Sequence, residues 1–251
     1  MPETNPASVR SYGMSIRITA SLGVFLVSVA AGAACRSQSR VEPEARSAST
    51  SELRSAAGQE GTPGARAVKK SDVGTDPGHA GKGTALTPAA GHELAAFAEG
   101  CFWGSENTFR HVPGVTATAV GYSGGKKDAP TYEDVCSHTT GHAEAVLVEF
   151  DPKVVSYEKL VGIFFRSHDP TTKNRQGPDV GDQYRSEIFT FNDAQAKTAR
   201  NLADGATKQA GKPVTTLIEP MARFWKAEEY HQQYDEKSGT ESCPLPSVLG
   251  N

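Results

Sequence analysis

Apolar positions after residue 90 recur with the spacings of strands and helices. Val146, Val148 and Phe150 alternate with Leu147 and Glu149, which is the period of a strand. By the same criteria, strands are predicted at 95–98, 115–122, 146–150, 184–191 and 214–218, and helices at 103–111, 156–167, 193–211 and 227–237. Strands and helices mix without a regular βαβ rhythm. We therefore expect an α+β fold, a two-layer α/β sandwich around a mixed, mostly antiparallel sheet.

Large hydrophobic residues are concentrated in the same part of the chain. Of the 19 aromatic residues 17 follow residue 90, and residues 36–90 contain no aromatic residue and no Ile. A segment of this composition cannot bury enough apolar surface to offset its ordering entropy. The prediction is a disordered tether at 35–90 and a single domain at 91–251, with a tail from about residue 238.

The amino terminus has the three parts of an export signal. Arg10 and Arg17 precede a charge-free apolar run at 18–34, which is shorter than the about 20 residues that span a bilayer. Small residues stand directly before Cys35, as in a bacterial lipoprotein signal, although Gly32 departs from that pattern. Residues 1–34 are thus predicted to be an export signal. Either Cys35 is lipidated, or ordinary cleavage near Ala34 leaves it as a thiol.

Charge and motifs argue against several classes of protein. The formal net charge of −3 supplies no broad positive field for nucleic acid. The sequence contains neither GxGxxG nor a Walker-type phosphate loop, so nucleotide cofactors have no support. The four cysteines, Cys35, Cys101, Cys136 and Cys243, form no CxxC pair and no cluster with His at zinc spacing. We expect neither a metal nor a bound cofactor.

Cys101 is the first candidate for chemistry. It lies in Gly100-Cys101-Phe102-Trp103-Gly104, between a predicted strand and a predicted helix. A thiol at a helix amino terminus is stabilised as a thiolate, the form that acts as a nucleophile. Glycine permits a sharp turn there, and Phe102 and Trp103 offer apolar faces to a methyl or thioether group. The alternative is an inert cysteine in an aromatic core.

Glu144 is the second candidate, because strand parity places it on the apolar face of Val146 and Val148. Ionising a carboxyl on such a face is unfavourable, so Glu144 would hold a proton near neutral pH and could donate it. The alternative is that Glu144 lies at the solvated end of its strand. Tyr132 and Tyr184 are candidate hydroxyl donors.

Eight short motifs, in order, resemble the A-type peptide methionine sulfoxide reductases. The similarity runs from about residue 95 to 238 and includes none of the first 90 residues. The motifs are Gly100-Cys101-Phe102-Trp103-Gly104, Gly121-Tyr122-Ser123-Gly124-Gly125, Thr131-Tyr132 with Val135-Cys136-Ser137, Gly141-His142-Ala143-Glu144, His168-Asp169-Pro170-Thr171, Asn174-Arg175-Gln176-Gly177, 179–186 and 227–232.

The resemblance implies a thiol mechanism for reducing the S epimer of methionine sulfoxide, protein-bound or free. Cys101 matches the nucleophile that attacks the sulfoxide sulfur, and Glu144 matches the acid that protonates its oxygen. Tyr132 and Tyr184 match hydroxyls that polarise this oxygen, and Asp179 matches a carboxylate of the same site. The product on the enzyme is a sulfenic acid at Cys101.

Substrate binding and recycling are implied in the same way. Phe102 and Trp103 match the pocket for the methyl group, and Gly100 and His142 are assigned to substrate binding with them. Cys243, in the tail, is the expected resolving cysteine, and the disulfide would be reduced by a thioredoxin-like partner or by dithiothreitol. Cys136 matches a family cysteine that is usually outside this relay, so we expect a structural thiol there.

Two positions depart from the family pattern, and three other readings compete. His138 stands where a small residue is expected, and Phe224-Trp225-Lys226 replaces a more usual Phe-Tyr-Pro.

The competing hypotheses for the function are a module that binds oxidised methionine without turnover, a thiol peroxidase and a structural lipoprotein. Our expectation is an exported monomeric repair enzyme of a bacterium, periplasmic or membrane-tethered, with a membrane contact only through a lipid on Cys35.

Overall fold

The computed structural model describes residues 72–239, all within one compact unit. The predicted export signal, the tether as far as residue 71, Cys35 and the tail with Cys243 lie outside the described residues. Within residues 72–239, every helix is too short or too polar to cross a membrane.

Eight strands and five α-helices follow one another along these residues. The strands are β1 (Glu93–Glu99), β2 (Val115–Ser123), β3 (Ala143–Phe150), β4 (Arg175–Gln176), β5 (Asp179–Val180), β6 (Ser186–Thr190), β7 (Leu217–Pro220) and β8 (Phe224–Lys226). The helices are α1 (Phe102–Arg110), α2 (Tyr132–Cys136), α3 (Tyr157–Ser167), α4 (Asp193–Ala210) and α5 (Tyr234–Ser238), with 3-10 turns at Pro77–His79 and Asp182–Tyr184.

Six strands form the main sheet, in the order β7-β6-β1-β3-β2-β8. Neighbours are antiparallel except β6 and β7, which are parallel. Phe97, Val146, Val148 and Ile188 project from one face of the sheet into a core formed with α1, α3 and α4. The predicted α+β sandwich with a mixed, mostly antiparallel sheet is thus confirmed.

Helix boundaries follow the capping residues in the sequence. The Ser156 side chain accepts a hydrogen bond from the Lys159 backbone at the start of α3, and Asn192 does the same for Gln195 at the start of α4. Gly211, with φ of 68°, ends α4 in the left-handed conformation that glycine adopts readily. These ends agree with the prediction because capping is decided by a few neighbouring residues.

Three predicted elements are wrong in extent, one of them the strand predicted at 214–218, which the structure has as β7 at Leu217–Pro220, and four short elements were not predicted. The helix predicted at 227–237 exists only as α5, because Gln233 is left-handed, with φ of 50°, and residues 229–233 form turns. Tyr184 lies in a 3-10 turn before β6, not in the strand. Helix α2 and strands β4, β5 and β8, which were not predicted, are too short to produce a periodic pattern.

The predicted tether is wrong over residues 72–90. Gly74 pairs with Ala117 of β2, and Lys82 pairs with Trp225 of β8. Glu149 accepts hydrogen bonds from the backbone N–H groups of Gly78, at 2.7 Å, and Ala89, at 3.1 Å. A segment that cannot form its own core is ordered here by backbone hydrogen bonds to the sheet.

Candidate active site

Cys101 occupies the turn from β1 into α1. Gly100, with φ of 112°, makes the turn, a conformation that favours glycine. Cys101 is the N-cap of α1, and its carbonyl accepts the backbone N–H of Ser105 at 3.3 Å. The side chain is buried, with 6% of the residue exposed. The predicted placement of this thiol at a helix amino terminus is therefore confirmed.

Glu144 faces the start of the same helix. It lies on β3 opposite Tyr122 of β2 and is buried, with 2% of the residue exposed. Its Oε2 accepts the backbone N–H of Phe102 at 3.1 Å, so the carboxyl lies beside the residue that follows Cys101. Of the two readings of Glu144, the structure supports the buried carboxyl and contradicts the solvated strand end.

Two tyrosines come to this point from different parts of the chain. Tyr132 begins α2, and Tyr184 ends the 3-10 turn before β6. Burial is the main cause that raises the pKa of both phenols, and electrostatic interactions with Glu144, Cys101 and Asp179 raise it further. Both hydroxyls therefore stay protonated at neutral pH and can donate hydrogen bonds.

Asp179 approaches the site from the short β4–β5 hairpin. It is half-buried, and burial raises the pKa of its carboxyl above the ordinary value. Its charge acts on both Tyr132 and Tyr184, which places it among the groups around Cys101. The structure therefore brings the Cys101 thiol together with all four acidic or hydroxyl-bearing side chains that the sequence had indicated, which are Glu144, Tyr132, Tyr184 and Asp179.

Phe102 and Trp103 form an aromatic wall with residues that the sequence did not single out. The Trp103 indole N–H donates to Nδ1 of His231 at 3.1 Å, and its rings stack on Tyr234 with centroids 3.6 Å apart. Phe102 contacts His231 as well, at a centroid distance of 5.0 Å. Because Nδ1 of His231 accepts, its proton is on Nε2, and burial lowers the pKa of the ring to about 4.

Glu228 fixes the position of two tyrosines. Its Oε2 accepts the Tyr122 hydroxyl at 2.9 Å, and its Oε1 accepts the Tyr132 backbone N–H at 3.0 Å. The Gln232 side chain bonds the backbone of Val120 in β2 through both its oxygen and its nitrogen. These residues belong to the motif at 227–232, whose presence could have indicated their role, although no spacing rule predicts it.

His142 is apart from this group. Its Nδ1 accepts the Gly125 N–H at 3.1 Å, and its Nε2 donates to the Lys127 carbonyl at 2.7 Å. It lines another cavity, with Glu187 and Glu219 among others, and neither Cys101 nor Glu144 lines it. The structure thus gives His142 a position that holds the loop at Gly125 and Lys127, and its assignment to substrate binding stays a prediction.

The two departures from the family pattern lie at the edge of the site. Nδ1 of His138 lies 2.8 Å from Oε1 of Gln183 and 3.3 Å from Oδ1 of Asp182. His138 thereby ties the end of α2 to the turn that carries Tyr184. Trp225 packs in the same buried cluster as Cys101, Phe102 and Tyr132. Strand β8 lies so close to β2 that a Cβ at position 121 would collide with the Trp225 carbonyl, so Gly121 permits this approach.

Behind the nucleophile lies a second buried carboxyl. Glu99, at the end of β1, accepts the Ser167 hydroxyl at 2.6 Å, and burial raises its pKa from 4.5 to about 8. His168 lies beside it, and burial lowers the pKa of its ring to about 4. Among residues 72–239 there is no group of three or more side chains that could hold a metal ion.

The site contains a buried thiol at a helix amino terminus, one carboxyl at the same turn and two protonated phenols. Together these groups can attack an electrophilic atom and protonate its leaving oxygen. The family of peptide methionine sulfoxide reductases matches residues 93–249. The chain belongs to this family. Because its relatives carry the A-type name, it is an A-type peptide methionine sulfoxide reductase, an enzyme, as the motifs indicated.

Several relatives of this reductase are closely similar. The peptide methionine sulfoxide reductase MsrA of Methanosarcina acetivorans is 59% identical over 155 residues, which are 61% of this chain and 82% of that protein. MsrA of Methanoculleus marisnigri is 52% identical over 161 residues, 63% of this chain and 98% of the relative.

Solved structures of reductases show the same fold. The reduced form of Mxr1 from Saccharomyces cerevisiae has a TM-score of 0.61 at 38% identity and covers 65% of this chain and 94% of its own. Methionine sulfoxide reductase A of Corynebacterium diphtheriae has a TM-score of 0.58 at 34% identity and covers 71% of this chain and 94% of its own.

Proposed function

We propose that this reductase acts on the S epimer of methionine sulfoxide, protein-bound or free, with Cys101 as nucleophile and Glu144 as acid. The observation that carries the proposal is the hydrogen bond from the Phe102 N–H to Glu144, because it holds the carboxyl at the turn that bears the thiol. Tyr132 and Tyr184 polarise the sulfoxide oxygen, and Asp179 belongs to the same site.

The chemical step transfers the sulfoxide oxygen to the enzyme. The Cys101 thiolate attacks the sulfoxide sulfur, and Glu144 gives a proton to the oxygen as negative charge develops there. The sulfur–oxygen bond of the substrate breaks, methionine leaves, and Cys101 becomes a sulfenic acid. Cys101 is oxidised and the methionine sulfur is reduced, so the electrons balance within this pair.

Recognition of the substrate rests on the aromatic wall. Phe102 and Trp103 contact the methyl group, and sulfur lies favourably near aromatic rings. The oxygen then faces the side of the site that holds Glu144 and the two phenols. An epimer with methyl and oxygen exchanged would place its oxygen against the rings, and this is the physical basis of the proposed stereochemistry.

His231 is a positioning residue for this wall. In His231→Phe the aromatic volume remains, but the buried Trp103 indole N–H loses its hydrogen-bond acceptor. The unsatisfied N–H raises the free energy by about 1 to 3 kcal/mol. We expect the KM for a sulfoxide peptide to rise by about tenfold. His231→Gln, which offers an oxygen acceptor, should recover part of this loss. Steady-state kinetics of the three proteins test the role, and an unchanged KM in His231→Phe would contradict it.

Recycling and location complete the proposal. Cys243 attacks the sulfenic acid, water leaves, and the Cys101–Cys243 disulfide is reduced by thiol–disulfide exchange with a thioredoxin-like partner or dithiothreitol. We also propose that the enzyme is a bacterial protein exported by residues 1–34, and that it acts as a monomer either in the periplasm or tethered by a lipid on Cys35. Its reductant must then be extracytoplasmic.

Turnover of separated epimers tests the proposed reaction. The purified chain is supplied with a peptide containing one or the other sulfoxide epimer and with dithiothreitol, and the methionine peptide is quantified by chromatography. We expect reduction of the S epimer and at least about 100-fold slower reduction of the R epimer. Equal rates would refute the stereochemistry. Binding without turnover would instead support the sulfoxide-binding module.

A further inference from the structure

The aromatic wall beside the nucleophile continues to the surface of the protein. The His231 ring contacts Phe102 at a centroid distance of 5.0 Å and Tyr132 at 4.6 Å. It also contacts Tyr230, at 4.1 Å. Exposure rises along this wall, from 1% for Phe102 to 56% for Tyr230. The wall therefore runs from the buried pocket to an exposed ring and marks the direction in which the site opens to solvent.

Tyr230 is the exposed ring at the mouth of this pocket. It lies in the turns at 229–233, in which the next residue, His231, is fully buried. Burial is the main cause that raises the pKa of the Tyr132 phenol, and an electrostatic interaction with Tyr230 adds to it, so the two phenols are close. Tyrosine is enriched where proteins bind their partners, because its ring combines a large apolar area with a polar tip. Tyr230 is thus placed to contact a molecule that enters the site.

A peptide substrate has to pass this ring. In the proposed reaction the sulfoxide side chain enters the buried pocket, while the peptide backbone and the neighbouring side chains stay outside. Neighbouring Cα atoms of a peptide lie about 3.8 Å apart, so the residues beside the oxidised methionine remain at the mouth. The side chain next to the oxidised methionine therefore lies within reach of Tyr230.

Two carboxylates lie near the Tyr230 phenol. Partial burial, followed by electrostatic interactions with Glu228 and Glu133, raises its pKa to about 12. Both oxygens of Glu228 already accept hydrogen bonds within the site. Glu229 has a cation of its own, because Nζ of Lys237 lies 3.2 Å from its Oε1. Glu133 is exposed, so its carboxylate is the one that can receive a positive charge placed over the Tyr230 ring.

Helix α2 fixes the position of Glu133. The helix begins with a capping box, in which the side chains of Thr131 and Asp134 each accept the backbone N–H of the other residue. It ends at Cys136, which is disulfide-bonded and is therefore not the structural thiol that the sequence predicted. Glu133 is consequently carried by an ordered element of the site itself.

We propose that Tyr230 and Glu133 form a subsite that binds a lysine or arginine next to the oxidised methionine of a peptide. The inference rests on the proposed function and deepens it by naming the class of substrate. The aliphatic stem of the cationic side chain lies on the Tyr230 ring, and the charged head lies between the ring and the Glu133 carboxylate. A glutamate at the same place is repelled by Glu133 and is not attracted to the face of the ring.

Peptides that differ only beside the sulfoxide test the subsite. Three S-sulfoxide peptides, with lysine, alanine or glutamate on both sides of the oxidised methionine, are compared with free methionine S-sulfoxide, and dithiothreitol is the reductant. For the wild type we expect kcat/KM of the lysine peptide to exceed that of the glutamate peptide by about tenfold, with alanine between them. High salt should reduce this ratio, because exposed charges are screened.

Variants assign the preference to the two side chains. Tyr230→Ala should lower kcat/KM of the lysine peptide by about fivefold more than that of free methionine sulfoxide, and Tyr230→Phe, which keeps the ring, should restore the preference. Glu133→Gln should reduce the ratio of lysine to glutamate peptide by about threefold. The matched controls are Leu217→Ala on β7 and Glu158→Gln on α3, which remove an exposed apolar side chain and an exposed carboxylate away from the mouth. Both controls should behave as the wild type.

The outcomes separate the subsite from the reaction beneath it. Equal kcat/KM for the three peptides in the wild type, or a preference for glutamate, would overturn the subsite and leave the proposed reaction intact. Equal losses on the lysine peptide and on free methionine sulfoxide in Tyr230→Ala would overturn it too, since a merely structural residue gives that pattern. If the wild type reduced no sulfoxide, the proposed function would fall, and equilibrium binding of the same three peptides would still decide the subsite.

Discussion

Replacing Cys101 by serine should abolish methionine sulfoxide reduction, with at least a 10³-fold loss of kcat/KM, roughly the scale of removing a catalytic nucleophile. A serine hydroxyl at the N-cap of α1 stays protonated at neutral pH. The helix terminus stabilises the thiolate form of a cysteine, but it does not ionise an alcohol. The measurement is methionine formation from an S-sulfoxide peptide with dithiothreitol, which bypasses the recycling partner.

Structure should survive this change. Serine is a favoured N-cap residue, and the carbonyl of residue 101 can still accept the Ser105 N–H. Thermal unfolding within about 2 °C of the wild type would confirm an intact fold. Cys35→Ser is the matched control, and it should keep wild-type turnover. Residual turnover in Cys101→Ser above about one tenth of wild type would exclude Cys101 as the nucleophile.

Replacing Glu144 by glutamine should lower kcat by about 10²- to 10⁴-fold, the usual worth of a general acid. The amide oxygen can still accept the Phe102 N–H, so the turn at Cys101 keeps its hydrogen bond. What is lost is the proton for the sulfoxide oxygen. The measurement is the steady-state rate of the S epimer, and we expect KM to change by less than about threefold, because the aromatic wall is untouched.

Glu219→Gln is the control for this substitution. Glu219 lies on β7, is exposed, and lines the cavity that contains His142 instead of the site at Cys101. The Glu219→Gln substitution removes one carboxylate from the chain but no proton donor near the thiol. We therefore expect kcat to stay within about twofold of wild type. If Glu144→Gln kept a similar rate, a different group would have to protonate the oxygen.

The local features of the site could be predicted because neighbouring residues decide them. Gly100 permits a turn with positive φ, Ser156 and Asn192 cap helices, and strand parity puts Glu144 on the face of Val146. Turns, caps and parity depend on a few residues of chain. The identity of the nucleophile and of the facing carboxyl thus followed from the order of residues.

Contacts between residues that are far apart in sequence determined the other features of the site. His231 reaches Trp103, and Glu228 joins Tyr122 to Tyr132, through hydrogen bonds across about 100 residues or more of sequence. The helix expected at 227–233 gives way to turns that place these side chains against β2 and α1. Local propensity is a weak preference, and buried polar groups that must find partners override it.

By itself, the sequence determined the α+β class, the place of the thiol at the start of α1 and the membership in a reductase family. Only the tertiary structure showed that residues 72–90 pack on the sheet, that His142 faces another cavity and that Cys136 forms a disulfide. The physical reason is the length of sequence over which each kind of interaction acts. Periodicity and capping act over a few residues, whereas a hydrogen bond to Glu149 or a bond between two sulfurs depends on how the folded chain brings remote residues together.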